Sequence, residues 1–512
     1  MTRRPCTCLA GVGARRTRVA RVNAMPIAPA RYAVVALALT LSLASCGRRA
    51  DVGPVVVSGI GEAPTLGDSS VGARSPNDRL LVDSIAQGLV RFDAAGQIEP
   101  GVAQRWIVMD DGMSYIFRLR AARWQDGRPV TAEDVVAILK RQLARNSRNP
   151  LKPFLTAIDS IVEMTPEVIE IRLARPRPDL LNLFAQPEMA LFRTRPPGGS
   201  GPFRLTRNDG RIRVLEPAAD PDRDPDQADD GPERNVWLVA EKASRAILRF
   251  AARKSDLVSG GTFLDWPLLR IAEVAPVNIK VDPAAGLFGF RVTNRSGLFA
   301  SKANRAAIAA LIDRDTITAN LAAEWGATMQ VLPAQLDSAA PPAQPLWALT
   351  PVDQRRAAAI KTITDWQAQQ SAPATIRIAL PYGPGATAIW GQIAPMLIGL
   401  GLAPQRVGPA APAELTLVDA VAPYDSARWY LVNACQPCAE DAAAKINAAR
   451  LADTLAARAQ AIAAADVALA DDSAFIPIAR PFRWSLVATR LRDWQTNQRA
   501  WHPLNRLRRD TN

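Results

Sequence analysis

The sequence predicts a mixed α/β protein of two or three domains, and three observations predict it. The chain has 512 residues and is 48% hydrophobic, which is long and apolar enough to bury more than one core and excludes disorder as a general description. A period-two stretch, Tyr115 to Arg120, follows the turn signal Asp110-Asp111-Gly112 and reads as one arm of a hairpin with one buried face. TIRIAL at 375–380, an apolar helical stretch over 386–400 and AELTLV at 413–418 then read as a βαβ unit.

Taken in order, Val55 to Ser58 reads as the first strand of the folded body. After the hairpin, Thr131 precedes Glu133, Asp134 and the apolar run Val135 to Leu139. Thr131 fits a helix N-cap, because its hydroxyl accepts from the free N–H groups of the first turn while the two acids favour the positive end. Residues 216–234 hold eight acids and four prolines and read as a solvated loop, since proline lacks an N–H and fixes φ. The alternating Asp220, Asp222, Asp224 and Asp226 invite a calcium reading, but Pro221 and Pro225 spoil the loop that such a site needs. Residues 333–351, with Pro333, Pro341, Pro342, Pro345 and Pro351, read as a surface crossing. WYLVN at 429–433 reads as a strand, 441–470 as alanine-rich helix, and Phe475-Ile476-Pro477-Ile478 as the break after it.

The only histidine is His502. A His cluster, a Ser-His-Asp triad and a multi-histidine zinc site therefore lack their parts, and no catalytic residue, metal or cofactor is expected. The formal charge is +13. The first 45 residues carry seven of the arginines and no acid, so the balance beyond them falls to +6. That residue of charge, without a Lys/Arg run among aromatics, argues against a nucleic-acid partner.

Tyr32 to Ala44 is an apolar run of signal-peptide length, too short to cross a bilayer as a helix. Leu43-Ala44-Ser45-Cys46 after it resembles the lipobox of bacterial lipoproteins. The resemblance implies cleavage of residues 1–45, lipid on Cys46, and a body tethered outside the cytoplasmic membrane. Translation is read as starting at Met25 rather than Met1, which gives the same mature chain; Cys6 and Cys8 leave with the leader.

Four motifs in series carry a family resemblance. Leu89 to Asp93 (LVRFD), Gly101 to Trp106 (GVAQRW), Asp110 to Arg120 and Trp124 to Val135 (WQDGRPVTAEDV) closely resemble the extracytoplasmic solute-binding proteins, family 5, of peptide and nickel ABC importers. Gly199-Ser200-Gly201-Pro202-Phe203, the segment Asn304 to Arg314 and the Phe475 to Ile478 strand resemble later family segments. The resemblance implies a two-lobed periplasmic-binding-protein clamshell, class II-like, with an extra subdomain in the first lobe. It places lobe I at 46–280 plus 478–512 and lobe II at 281–477, with crossings at 276–290 and 477–481.

The resemblance further implies that function is capture of a small solute, possible ligands including short peptides, and delivery to an ABC permease complex in the inner membrane by a monomer. The loop holding Glu62 and Thr65, the Gly199, Ser200 and Phe203 loop, Trp390 and Trp429 are the ligand-contact candidates, while Trp106 and Trp124 read as packing. Peptide-binding members place an aspartate shortly after a second-lobe tryptophan to pair with the peptide ammonium; none follows Trp429 here. Cys435 and Cys438 form a C-x-x-C pair, read as a structural disulfide, with thioredoxin-like redox chemistry and free thiols as the other readings. Two further functions stay open: a thiol oxidoreductase using this pair, and a clamshell lipoprotein that senses or serves the envelope without import.

Overall fold

The computed structural model describes residues 53–177, 179–218, 234–334 and 336–508. The described residues form one compact unit. The leader, Met25, Cys46 and the acidic stretch 219–233 lie outside the described residues.

Two sheets organise the body. The first has seven strands in the order Phe203–Asp209, Ile212–Pro217, Val236–Glu241, Val55–Ile60, Leu257–Thr262, Arg483–Val487 and Ile279–Asp282. Val55–Ile60 lies between two parallel neighbours, with Val55, Val57, Ser58 and Gly59 buried and Val56 half-buried, as expected of a strand covered on both faces. The second sheet has five strands, Ala403–Val407, Thr375–Ala379, Leu415–Val421, Gly286–Val292 and Phe475–Ala479. A separate four-stranded antiparallel sheet, Ala103–Met109, Ser114–Leu119, Val168–Leu173 and Ile158–Thr165, extends the first lobe.

The helices that matter below are α1 (Pro76–Ile85), α2 (Ala132–Leu143), α3 (Leu180–Phe184), α4 (Pro384–Gly399), α5 (Ala427–Ala434), α6 (Glu440–Leu451) and α7 (Leu455–Asp472). Thr131 caps α2 through the amide of Asp134, with Glu133 and Asp134 in the first turn. Helix α1 opens on a Ser75/Asp78 capping box with Pro76 at its first position.

Three sequence expectations change. WYLVN is helical, inside α5. Its aromatic and β-branched content favours a strand, but the carboxylate of Asp337 accepts the free Ala427 N–H at 2.7 Å and Trp429, Tyr430 and Leu431 are buried, so tertiary capping and packing override propensity. CQPC therefore joins two helices rather than a strand and a helix. The alanine-rich stretch is two helices, because Thr454 caps α7 through Ala457 N–H at 3.1 Å. In the βαβ region the strand Ala403–Val407 returns parallel to Thr375–Ala379 first, and Leu415–Val421 pairs on the other side.

The chain passes from the first sheet to the second through Pro283-Ala284-Ala285, and back through Arg480-Pro481-Phe482. At the first passage Ala285 donates to Gln498 O at 2.8 Å and accepts from Ala422 N–H at 2.8 Å. Beside it, buried Asp282 meets His502 Nε2 at 3.1 Å and accepts the Asn497 N–H at 3.0 Å. The lone histidine is thus a packing and hydrogen-bonding group, lying 4.4 Å from the Trp494 ring. At the second passage Phe482 packs on Trp266 and Trp325, at 4.9 and 5.2 Å between ring centres, and Arg480 O accepts the Trp325 indole N–H at 2.8 Å. Aromatic packing thus holds the second passage against Trp266 and Trp325.

Candidate ligand-binding cleft

Helix α1 organises the sequence candidates of the first lobe. At its N-terminus Asn77 Nδ2 donates to Glu62 O at 2.9 Å, and Asp78 Oδ1 accepts from Thr65 N–H and Oγ1 at 2.5 and 3.0 Å. Burial raises the Asp78 carboxyl, but the Thr65 and Ser75 donors outweigh it and hold it below its ordinary value. Glu62 and Thr65 are themselves exposed. At the other end, Gly201 N–H donates to Ile85 O at 3.0 Å and Gln87 Nε2 to Ser200 O at 2.6 Å. A Cβ on Gly199 would stand 2.3 Å from Ala86 Cβ, so this glycine is required for close approach of loop to helix. Ten helical residues span about 15 Å, which separates the two candidate groups. Phe203 and Trp429 are only 5% and 6% exposed within the core, and Trp390, on α4, packs half-buried against the second core. The structure does not gather these seven residues into one site. Trp124 is buried, its indole donating to Asp134 at 3.0 Å.

What the structure does gather is a set of groups meeting across the two lobes. Gln186 and Asn182 of the first lobe donate to Pro423 O and to Asp425 Oδ2. Arg499, from the C-terminal stretch, reaches the same Asp425 oxygen at 2.6 Å. Arg79 holds Gln186 Oε1 at 3.1 Å and Glu188 at 2.7 Å. Phe154 meets Tyr424 edge-on at 5.6 Å, with the Arg428 guanidinium over its face at 5.7 Å. Arg177 Nη2 and Arg175 Nε donate to Arg450 O and Leu451 O, each at 2.9 Å. These two carbonyls are at the C-terminus of α6, where the helix dipole favours a cation.

Behind this face, Asp337 accepts from Arg458 Nη2 at 2.8 Å and Ser426 Oγ at 3.1 Å. Asp179, the N-cap residue of α3, faces this group. Burial first, then the carboxylates of Asp337 and Asp425, push it up to about 7 against the pull of Arg458 and Arg499. Burial, with Arg458 and Arg428 nearby, brings Arg177 down to about 10. Sequence reasoning missed Asp179, Asn182, Gln186, Asp425 and Arg499, because none lies in a motif and their partners are remote in the chain.

Cys435 and Cys438 link the end of α5 to the start of α6, with Cα atoms 4.8 Å apart, inside the range a disulfide spans. Among the described residues no group of His, Cys, Asp or Glu is arranged to hold a metal, and no helix is long and apolar enough to cross a membrane.

Two α/β lobes joined by two short passages and meeting over a polar face define a solute-binding protein. The sequence profile of bacterial extracellular solute-binding proteins, family 5 (Middle), matches residues 97–361, just over half of the chain. The chain belongs to this family; it is a binding protein, not an enzyme. It is 40% identical over 76 residues to a probable deoxycholate-binding periplasmic protein, YgiS, of Escherichia coli K12, covering 15% of this chain and 14% of that protein. To the periplasmic oligopeptide-binding protein OppA of Haemophilus influenzae it is 21% identical over 375 residues, 65% of this chain and 68% of OppA. Among solved structures, the murein tripeptide-binding protein MppA of E. coli superposes with a TM-score of 0.75 at 18% identity, covering 89% of this chain and 98% of that one. The unliganded open form of MppA gives 0.63, covering 89% and 96% at the same identity. These relatives are periplasmic binding proteins, and the two-lobed fold is shared with them.

Proposed function

We propose that this protein captures a small solute of peptide-like chemistry between its two lobes and delivers it to an ABC permease complex in the inner membrane. It does so as a monomeric lipoprotein, cleaved after residue 45 and anchored through lipid on Cys46. Lobe I, on this reading, comprises 46–280 plus 478–512 and lobe II 281–477. The observation that carries the reading is the face of polar groups, Gln186, Asn182 and Arg499 against Pro423 and Asp425, by which the lobes meet. Ligand that touches both lobes adds contacts available only when they are together and so shifts the population towards closure. Glu62 and Thr65 are the exposed sequence candidates for ligand contact. The Cys435–Cys438 pair serves as a structural disulfide clipping α5 to α6.

The test is mass spectrometry of small molecules released on denaturing protein purified from its own host, with radiolabelled palmitate feeding in parallel. A stoichiometric released solute and a labelled band are expected. No released solute, together with a silent thermal-shift panel of peptides and other small solutes, would overturn capture. An unlabelled band would overturn the anchor. Protein found only in the outer membrane would favour the sensor or envelope alternative over import.

A further inference from the structure

On the second-lobe side, contacts to the first lobe are made at both ends of one bent arm, α5 followed by α6. Just before α5, Asp425 accepts from Arg499 at 2.6 Å and Asn182 at 3.4 Å. At the other end the last carbonyls of α6 have no partner within the helix. Those of Ala449, Arg450 and Leu451 accept from Arg458 Nη1 at 3.2 Å, Arg177 Nη2 at 2.9 Å and Arg175 Nε at 2.9 Å. Arg175 and Arg177 come from the first lobe.

The two helices are held differently. Helix α5 is embedded, with Trp429, Tyr430 and Leu431 buried. Helix α6 buries only Ala442, Ile446 and Ala449, and Ala439 at its N-cap gives the free amides no side-chain acceptor. Its flank lies along α7; its start is fixed to α5 by the Cys435–Cys438 bridge, whose Cα atoms are 4.8 Å apart. Twelve helical residues reach about 18 Å, so a swing of about 10° at the bridge moves the far carbonyls by about 3 Å. That displacement breaks their hydrogen bonds.

We propose that the Cys435–Cys438 bridge is a thiol-sensitive elbow in the contact between the lobes. Intact, it sets α6 so that Arg175 and Arg177 engage its C-terminus; reduced, it loosens that half of the contact. The step is exchange with an external dithiol. One thiolate of the dithiol attacks a bridge sulfur, and its second thiol displaces the resulting mixed disulfide. The protein gains two electrons and two protons as Cys435 and Cys438 become thiols, while the dithiol closes to a disulfide. The two cysteines are half-buried, and Gln436 and Pro437 between them are exposed, which leaves the bridge open to such a reagent. The inference rests on the two lobes and the disulfide of the proposed function and on no ligand.

Hydrogen–deuterium exchange and small-angle X-ray scattering of the ligand-free full chain test it, untreated and after dithiothreitol, with Cys438→Ser and Arg177→Ala alongside. Reduction should speed exchange in α6 roughly tenfold, the contribution of about one hydrogen bond to a charged group, and should enlarge the radius of gyration. Cys438→Ser should match the reduced wild type and ignore dithiothreitol. Arg177→Ala should be expanded before reduction, with exchange at the start of α6 still responding to the reagent. If Cys438→Ser does not fold, treatment of the folded wild type decides. Peptide mapping that finds both sulfurs as free thiols in untreated protein, or scattering unchanged by reduction, overturns the elbow and leaves solute capture standing. Failure of capture is seen only in the released-solute experiment.

Discussion

Asp472 sits between two guanidinium groups, accepting from Arg305 Nη2 at 2.5 Å and from Arg295 Nη1 at 2.7 Å. Burial raises its carboxyl, but the two arginines outweigh that and hold it below 3.8. Its contribution is present above that ordinary value and is lost as pH falls through the lowered one. Arg305 is 2% exposed, so Asp472→Ala leaves a buried cation unpaired and should cost about 3–5 kcal/mol, read as a lower urea midpoint at pH 7. Arg305 lies in a segment recognisable from sequence, whereas its partner stands far along the chain and carries no signal. Gly199 separates a packing role from a binding one. With a Cβ 2.3 Å from Ala86, Gly199→Ala should destabilise by about 1–3 kcal/mol, measured by chemical denaturation of the ligand-free protein, where a purely ligand-contacting residue would leave stability unchanged.

Helices α5, α6 and α7 are where local propensity and tertiary context part. Asp337 caps α5 at Ala427 N–H and pairs with Arg458, which is 4% exposed. Asp337→Ala therefore removes a cap worth about 1 kcal/mol and strands a buried guanidinium, for a combined loss of about 3–5 kcal/mol that thermal denaturation would show as a lower Tm. The WYLVN stretch reads as strand by composition because nothing within it announces a carboxylate arriving from residue 337. The Cys435–Cys438 clip closes a very short loop, so its constraint on the unfolded chain is small. Cys438→Ser is expected to cost about 2 kcal/mol or less, and insulin reduction by the wild type should not exceed that of the variant; turnover lost in the variant would revive the oxidoreductase alternative.

Across the whole molecule, the two sheets share their cores rather than keeping them apart. One buried cluster runs from Val55 through Phe184 to Trp429 and Leu469, and the other from Ile247 through Phe290 to Trp484. The two lobes are thus in apolar contact as well as polar contact. Arg499 is the residue of the C-terminal stretch that reaches the second lobe through Asp425, whose side chain is 45% exposed. Solvent screens that pair, so Arg499→Ala should weaken retention of a bound solute only about fivefold, corresponding to about 1 kcal/mol. Equilibrium dialysis with the solute identified by mass spectrometry measures it.

By itself the sequence determined the class of fold, the hairpin after Asp110-Asp111-Gly112, the Thr131 cap and the family, because each depends on residues close together in the chain, where turn chemistry, capping and periodicity act. The same locality made the Gly199 loop visible as a motif without saying that its glycines serve close packing on α1. Only the tertiary structure decided that Trp429 lies in a helix and in the core, that Asp282 and His502 meet beside the passage between lobes, and that Asp179, Asp425 and Arg499 converge. Those outcomes turn on charges and amides brought together from distant parts of the chain, and their energies come from desolvation and pairing that exist only once the lobes are packed.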